Sequence, residues 1–248
     1  ITIVVTGTSG SGKTTTAFNV AKTLNKMDYS VLIIDLDTLT RGQAIISKKS
    51  CEAVHNPDTA STHIKTAVSS GTNIGKNAGI ISPGLYVLST GLAADKIEAR
   101  DLGDTSKLDR FFNSVRSYYD FVVVDMSLDT ASDYASNVLF SAEHIILTMR
   151  LSNWSTYKTM LEMANIEKEE VQQLMFERSN ILITSTDNTQ QIMGKKLRSI
   201  AHVLRVMDEE IRELIGVDPE HYFAEMAICG AIQFNPLIDT LWKTDSRV

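Results

Sequence analysis

Cysteine is scarce. The 248 residues hold two, Cys51 and Cys229, far apart and in no metal-ligand spacing. They read as buried or incidental thiols in a reducing compartment, the cytoplasm. Basic residues are outnumbered: 24 Lys and Arg face 30 Asp and Glu, for a net charge of −6. That argues against a surface coated in positive charge for nucleic acid, although a local patch survives it. No apolar run approaches the roughly 18 residues that a membrane-spanning helix needs. The chain opens without the basic n-region of a signal peptide. It begins at Ile1 rather than at methionine, and a domain upstream of it is expected.

What is present suits a globular chain. It is 43% hydrophobic and 22% charged, enough to bury a sizeable core. The length allows one large α/β domain or two small ones, and a single domain over residues 1–248 is expected.

The most informative stretch is residues 1–24. Ile1-Thr2-Ile3-Val4-Val5-Thr6 is apolar, β-branched and too short for a helix, so it reads as a buried strand. Gly7-Thr8-Ser9-Gly10-Ser11-Gly12-Lys13-Thr14-Thr15 then matches G-x-x-x-x-G-K-[ST] at every fixed position. Beyond it, Ala17, Val20, Ala21 and Leu24 have the spacing of one helix face. Strand, phosphate loop and helix are the context this motif requires. The glycines let the backbone wrap a polyphosphate with its N–H groups pointing inward. The helix beginning near Lys13 adds its positive N-terminal end. Lys13 reaches the β- and γ-phosphates, the Thr14 hydroxyl ligates Mg²⁺, and Thr15 serves the α-phosphate. The competing reading is a glycine-rich turn that binds nothing.

Val31 to Asp37 is the second strand, ending in Asp35 and Asp37. Carboxylates at i and i+2 of an extended chain share a side. Ligands collect at such strand tips. A pair of acids there suits Mg²⁺-bound water or an attacking one; the plainer reading is a solvated strand end. Tyr119-Asp120-Phe121-Val122-Val123-Val124-Asp125 is a hydrophobic strand ending in an acid, the pattern that holds a water on Mg²⁺. Strands are also expected at Leu85 to Leu88, Ala142 to Met149 and Ile181 to Thr184. Leu108, Phe111, Phe112 and Val115 mark the packing face of a helix over 108–118.

The remaining segments say less. Residues 43–83 read as a loop-rich excursion with a short helix at Thr62 to Ser69. His55 and His63 have no partner set and read as solvated. Residues 166–178 read as a charged, solvated helix, and Ile192 to Ile215 as one or two helices. Lys195, Lys196, Arg198 and Arg205 form a small basic cluster, read first as a solvated face and second as a nucleic-acid or acidic-partner contact. The tail from Phe234 is too short and weakly basic for a membrane-lying helix.

A GKTT loop followed by a strand ending D-x-D, and later by Y-D-F-V-V-V-D, resembles the MinD/ParA family of dimeric ATPases. The resemblance implies an α/β fold: a doubly wound, mostly parallel twisted sheet with helices on both faces. It implies ATP and Mg²⁺ as cofactors, a homodimer and a partner protein. It implies recruitment to a membrane-associated or pole-located complex. By the same resemblance Asp37 is the acid needed for hydrolysis, Asp35 its supporting partner, and Thr38 to Gly42 the first switch loop. Metal-holding residues are then Thr14, Asp35, Asp37 and Asp125, and catalytic ones Lys13, Asp37 and Asp125. Asn188 is a candidate adenine contact, out of register.

Two departures stand against that family pattern. A second lysine normally follows the first glycine and reaches the partner's nucleotide; here the position is Thr8. A cation supplied in trans is worth about 10³-fold or more in phosphoryl transfer. Slow hydrolysis, an altered dimer or rescue by another group such as Arg41 is therefore expected. Pilus-localisation relatives (the CpaE and TadZ group) vary here too. The run after Asp125 also lacks the family's prolines and glycine, and Asp129 falls about where that glycine would be. The leading expectation is an ATP-dependent switch positioning a plasmid, pilus, secretion or conjugation apparatus. The alternative is a non-hydrolysing scaffold of the same fold. A kinase is disfavoured by the D-x-D pair and by the lack of a tyrosine-rich tail.

Overall fold

In the computed structural model the described residues are 1–37, 43, 78–88, 105–128, 133–186, 191–215 and 222–233. Cys51, His55, His63, Asp129, Asn188, the Thr38 to Gly42 loop with Arg41, the Thr62 to Ser69 helix and the tail from Phe234 lie outside them.

The first strand, β1 (Thr2–Gly7), is buried along its whole length. It lies between two parallel neighbours, β5 (Phe121–Asp125) and β6 (His144–Arg150). The strands β2 (Val31–Asp35), β4 (Leu85–Leu88) and β3 (Gly79–Ser82) extend the sheet one way. The strands β7 (Ser179–Thr186) and β10 (Ala227–Gln233) extend it the other. The full order is β10-β7-β6-β1-β5-β2-β4-β3, parallel except for the antiparallel edge pair β3 and β4. Chain order therefore reverses around β1, the switch point where open α/β sheets bind ligands.

Strand alternation divides the core. Val4, Leu32, Ile34, Val122 and Val124 pack in a large cluster with buried residues of five helices. These are α2 (Thr105–Tyr118), α3 (Asp133–Phe140), α4 (Asn153–Ala164), α5 (Glu169–Arg178) and α6 (His202–Ile215). Ile3, Val5, Val31, Ile33 and Val123 instead meet Ala17, Phe18 and Ala21 of α1 (Lys13–Lys26). Period-two alternation with both faces apolar is what a sheet covered on both sides needs. The predicted α2 stripe of Leu108, Phe111, Phe112 and Val115 is fully buried.

Several expectations are corrected. Residues 166–178 do not form a merely solvated helix: α5 starts at Glu169 and buries Val171, Leu174 and Met175. Those three sit at i, i+3 and i+4, an apolar stripe that the surrounding charge concealed. The segment from Ile192 is not helical at its start. The two-residue strands β8 (Gln191–Ile192) and β9 (Lys195–Lys196) pair as a hairpin. Its turn residues Met193 (φ 52°) and Gly194 (φ 75°) are both left-handed, the requirement of a tight hairpin turn. Helix α4 begins at Asn153, where the Ser152 side chain caps it by accepting from the Ser155 N–H at 3.3 Å.

Among the described residues no helix is long and apolar enough to cross a membrane. The basic cluster is smaller than its sequence. Lys195 is held by Glu209 and Glu210 at 3.0 Å each and by Glu213 at 3.7 Å. Its charge is spent within the fold, which leaves Lys196, Arg198 and Arg205.

Candidate functional site

The phosphate loop leaves the tip of β1 and enters α1 through Gly12, whose φ of 91° is left-handed. Gly12 provides no side-chain cap, and the first turn of α1 carries no acid. Its N–H groups are thus open to an anion, which the helix dipole favours. Gly7 is required by contact. A Cβ there would lie 2.5 Å from both the carbonyl and hydroxyl oxygens of Thr148, and 2.6 Å from the Ser11 hydroxyl.

Two threonines latch the loop from neighbouring strands. The Thr148 hydroxyl on β6 donates to the Thr6 carbonyl at 3.0 Å and accepts from the Ser11 hydroxyl at 2.7 Å. On β7 the Thr184 hydroxyl donates to the Ser11 carbonyl at 2.6 Å. Ser9, Gly10 and Thr15 remain exposed along the loop, while Ser11 and Lys13 are buried. Thr8 is buried too, and its hydroxyl has no hydrogen-bond partner. The position of the expected second lysine therefore carries a small inward-facing group.

Beneath the loop three acids meet. The sheet register sets Asp35 directly beside Asp125. Asp37 pairs with the Lys13 ammonium at 2.5 Å, and both are almost wholly buried. Asp35 accepts from the backbone N–H of Asp37 at 3.1 Å and of Gln43 at 3.0 Å, one on each oxygen. Gln43 links the group: its amide donates to the Thr14 carbonyl at 2.9 Å and to Asp125 Oδ2 at 3.0 Å. The expected residues Lys13, Thr14, Asp35, Asp37 and Asp125 are thus brought together. Gln43, Thr148 and Thr184 are site residues that the sequence reading missed. No spacing signal marks them, since each acts on a partner distant in the chain.

The donor set fits Mg²⁺ carried by a nucleotide. Asp125 Oδ1 is buried without a hydrogen-bond partner, and an orphaned carboxylate oxygen beside the Thr14 hydroxyl can take a cation or its water. Among the described residues, no group of three or more His, Cys, Asp or Glu side chains could hold a metal by itself. That agrees with Mg²⁺, which uses one or two carboxylates, waters and substrate phosphates.

Burial pushes the Asp125 carboxyl above its ordinary value of 3.8, against the opposing pull of the Gln43 amide, the Lys13 charge and the Thr14 hydroxyl. Folding therefore favours its neutral form. Its contribution to stability is full below pH 3.8 and is lost as pH rises through the raised value. Without nucleotide, Asp125→Asn is expected to raise the melting temperature at pH 7. The gain should vanish at pH 3.5. Scanning calorimetry at both pH values checks it, and a variant melting below the parent at pH 7 contradicts it.

Comparison with known proteins agrees with this fold. The family profile described as an AAA domain matches residues 1–176. Comparison with curated proteins finds no match. Among solved structures, a ParA family ATPase from Chlorobium tepidum TLS superposes with a TM-score of 0.61 at 16% identity, covering 100% of this chain and 93% of that one. MinD in the Aquifex aeolicus MinC:MinD cell division complex gives 0.65 at 15%, covering 96% and 83%. McdA from Cyanthece gives 0.63 at 13%, covering 98% and 89%. With the profile spanning most of the chain, the protein belongs to the AAA domain family, and it shares the fold of the ParA and MinD structures.

Proposed function

We propose that the chain binds ATP with Mg²⁺ at Gly7 to Thr15, hydrolyses it slowly and uses that cycle to position or partition a cellular cargo. The observation that carries the reading is the buried group formed by Lys13, Asp37, Asp35, Gln43 and Asp125 under the loop. Backbone N–H groups of the loop and Lys13 would hold the phosphates, and Thr14 with Asp125 would hold Mg²⁺. Bound Mg²⁺ supplies charge neutralisation at the phosphate chain. Asp37 orients the attacking water. Asp35 is a positioning residue, its two oxygens spent on the N–H groups that fix Asp37 and Gln43.

The superposed structures include a ParA family ATPase, a MinC:MinD cell division protein complex and a MinD complexed with Mg-ADP. We extend from them a cytoplasmic switch that pairs with a second copy and engages a partner protein of a partition, pilus, secretion or conjugation system. Recruitment to a membrane-associated or pole-located complex and a DNA contact at Lys196, Arg198 and Arg205 belong to the same reading. A non-hydrolysing, nucleotide-held scaffold is the second reading, favoured by the buried Thr8 where a cation was expected.

Steady-state ATP-Mg²⁺ turnover and nucleotide titration of the parent and Asp37→Asn separate the two. The switch predicts turnover in the parent that is lost in the variant, with binding retained. Binding without turnover in the parent, alone and with its partner, would establish the scaffold.

A further inference from the structure

Beside the phosphate loop lies a recess of about 250 Å³, lined by Ser9 and Gly10 of the loop and by Arg150, Trp154, Ser155 and Ser185 among others. Ser9 and Gly10 are exposed, so the recess opens directly onto the crown of the loop. It contains a fully buried polar atom, the Ser155 hydroxyl, which has no hydrogen-bond partner.

Arg150 is the last residue of β6. Thr148, two residues earlier, pairs with Gly7 in the sheet and touches Ser11 through its side chain. Residues two apart in a strand point to the same face, so Arg150 extends from the side of β6 that already grips the loop. Its backbone is fixed: Ser152 N–H donates to the Arg150 carbonyl at 2.9 Å, and Arg150 pairs with Thr184 on β7. Its guanidinium is exposed and makes no hydrogen bond or ion pair with the described residues. A cation on a rigid strand end, facing a phosphate loop and uncommitted, is placed for an anion. A guanidinium grips phosphate oxygens in a bidentate way that the inward-facing Thr8 cannot replace.

We propose that Arg150 supplies the second cation of this site, binding the terminal phosphate of the nucleotide held by the loop of the same chain. The inference rests on the nucleotide reading above and assigns to a different strand the charge that the loop lacks at Thr8.

The test is titration of the full chain and of Arg150→Ala and Arg150→Lys with Mg-ATP and Mg-ADP. Arg150→Ala should weaken Mg-ATP about tenfold and leave Mg-ADP within about twofold, with Arg150→Lys intermediate. Melting temperatures should match the parent, since the guanidinium bonds to none of the described residues. Equal losses for both nucleotides, or none for either, would overturn the role of Arg150 and leave the nucleotide site standing. A loss that grows with protein concentration would move Arg150 onto the nucleotide of a second copy and overturn the same-chain assignment. A parent that binds neither nucleotide would remove the site itself, and this proposal with it.

Discussion

Gly7→Ala is expected to melt roughly 10 °C below the parent and to lose nucleotide binding. The added methyl would meet both Thr148 oxygens at 2.5 Å and the Ser11 hydroxyl at 2.6 Å. None of these can retreat cheaply. One is backbone of a central strand, and the two hydroxyls are bonded to each other, with that of Thr148 also donating to the Thr6 carbonyl. Overpacking of this kind costs about 3 kcal/mol, which for a chain of this size corresponds to a drop of about 10 °C. Relief would come by pushing the loop off β6, and the inward N–H array would go with it. Gly10→Ala is the control. No atom lies within 4 Å of its added Cβ, so only the left-handed backbone at φ 78° is strained, at about 1 kcal/mol. Thermal melts of the two variants check the contrast. A Gly7→Ala variant as stable as Gly10→Ala would mean that the loop does not pack on β6.

Lys13→Ala is expected to abolish nucleotide binding and to destabilise the fold by about 3–5 kcal/mol. Both effects have one origin. The ammonium is the cation proposed for the phosphates and, within the protein, the partner of the buried Asp37 carboxylate. Removing it strands a negative charge that is 3% exposed and close to Asp125. Adding Asp37→Asn to Lys13→Ala should recover most of the stability and none of the binding, because neutralising the acid removes the repulsion without restoring the cation. Denaturant unfolding with a nucleotide titration of both variants reads the two effects separately. A Lys13→Ala variant that binds ATP like the parent would sink the site assignment.

The phosphate loop and its flanks were legible because their chemistry is local. Glycines, lysine and threonine act within nine consecutive residues, and β1 and α1 follow from runs whose period is set by the same residues. Asp35, Asp37 and Asp125 were legible as acids at strand ends. Gln43, Thr148 and Thr184 were not. Their bonds reach 82, 137 and 173 residues along the chain, and a glutamine or threonine carries no mark of a distant partner. The helix over α5 was expected, but its buried face was missed because charge outweighed Val171, Leu174, Met175 and Phe176. The edge strands β3 and β10 passed unnoticed, since β3 has four residues and β10 contains Gly230 among small ones. Short edges depend on a neighbour's open hydrogen bonds more than on their own pattern.

The sequence by itself determined a phosphate-loop pattern, Gly7 to Thr15, set between a buried strand and a helix. It also determined that acids stand at the tips of two buried strands. Only the tertiary structure decided that β2 and β5 lie side by side, so that Asp35 faces Asp125. Only it turned Thr8 inward, spent Lys195 on three glutamates and brought Arg150 against the loop. The reason is physical. Local pattern fixes which way a side chain points from its own strand or helix, whereas strand order and register, set by burial of the whole core, fix what it meets there.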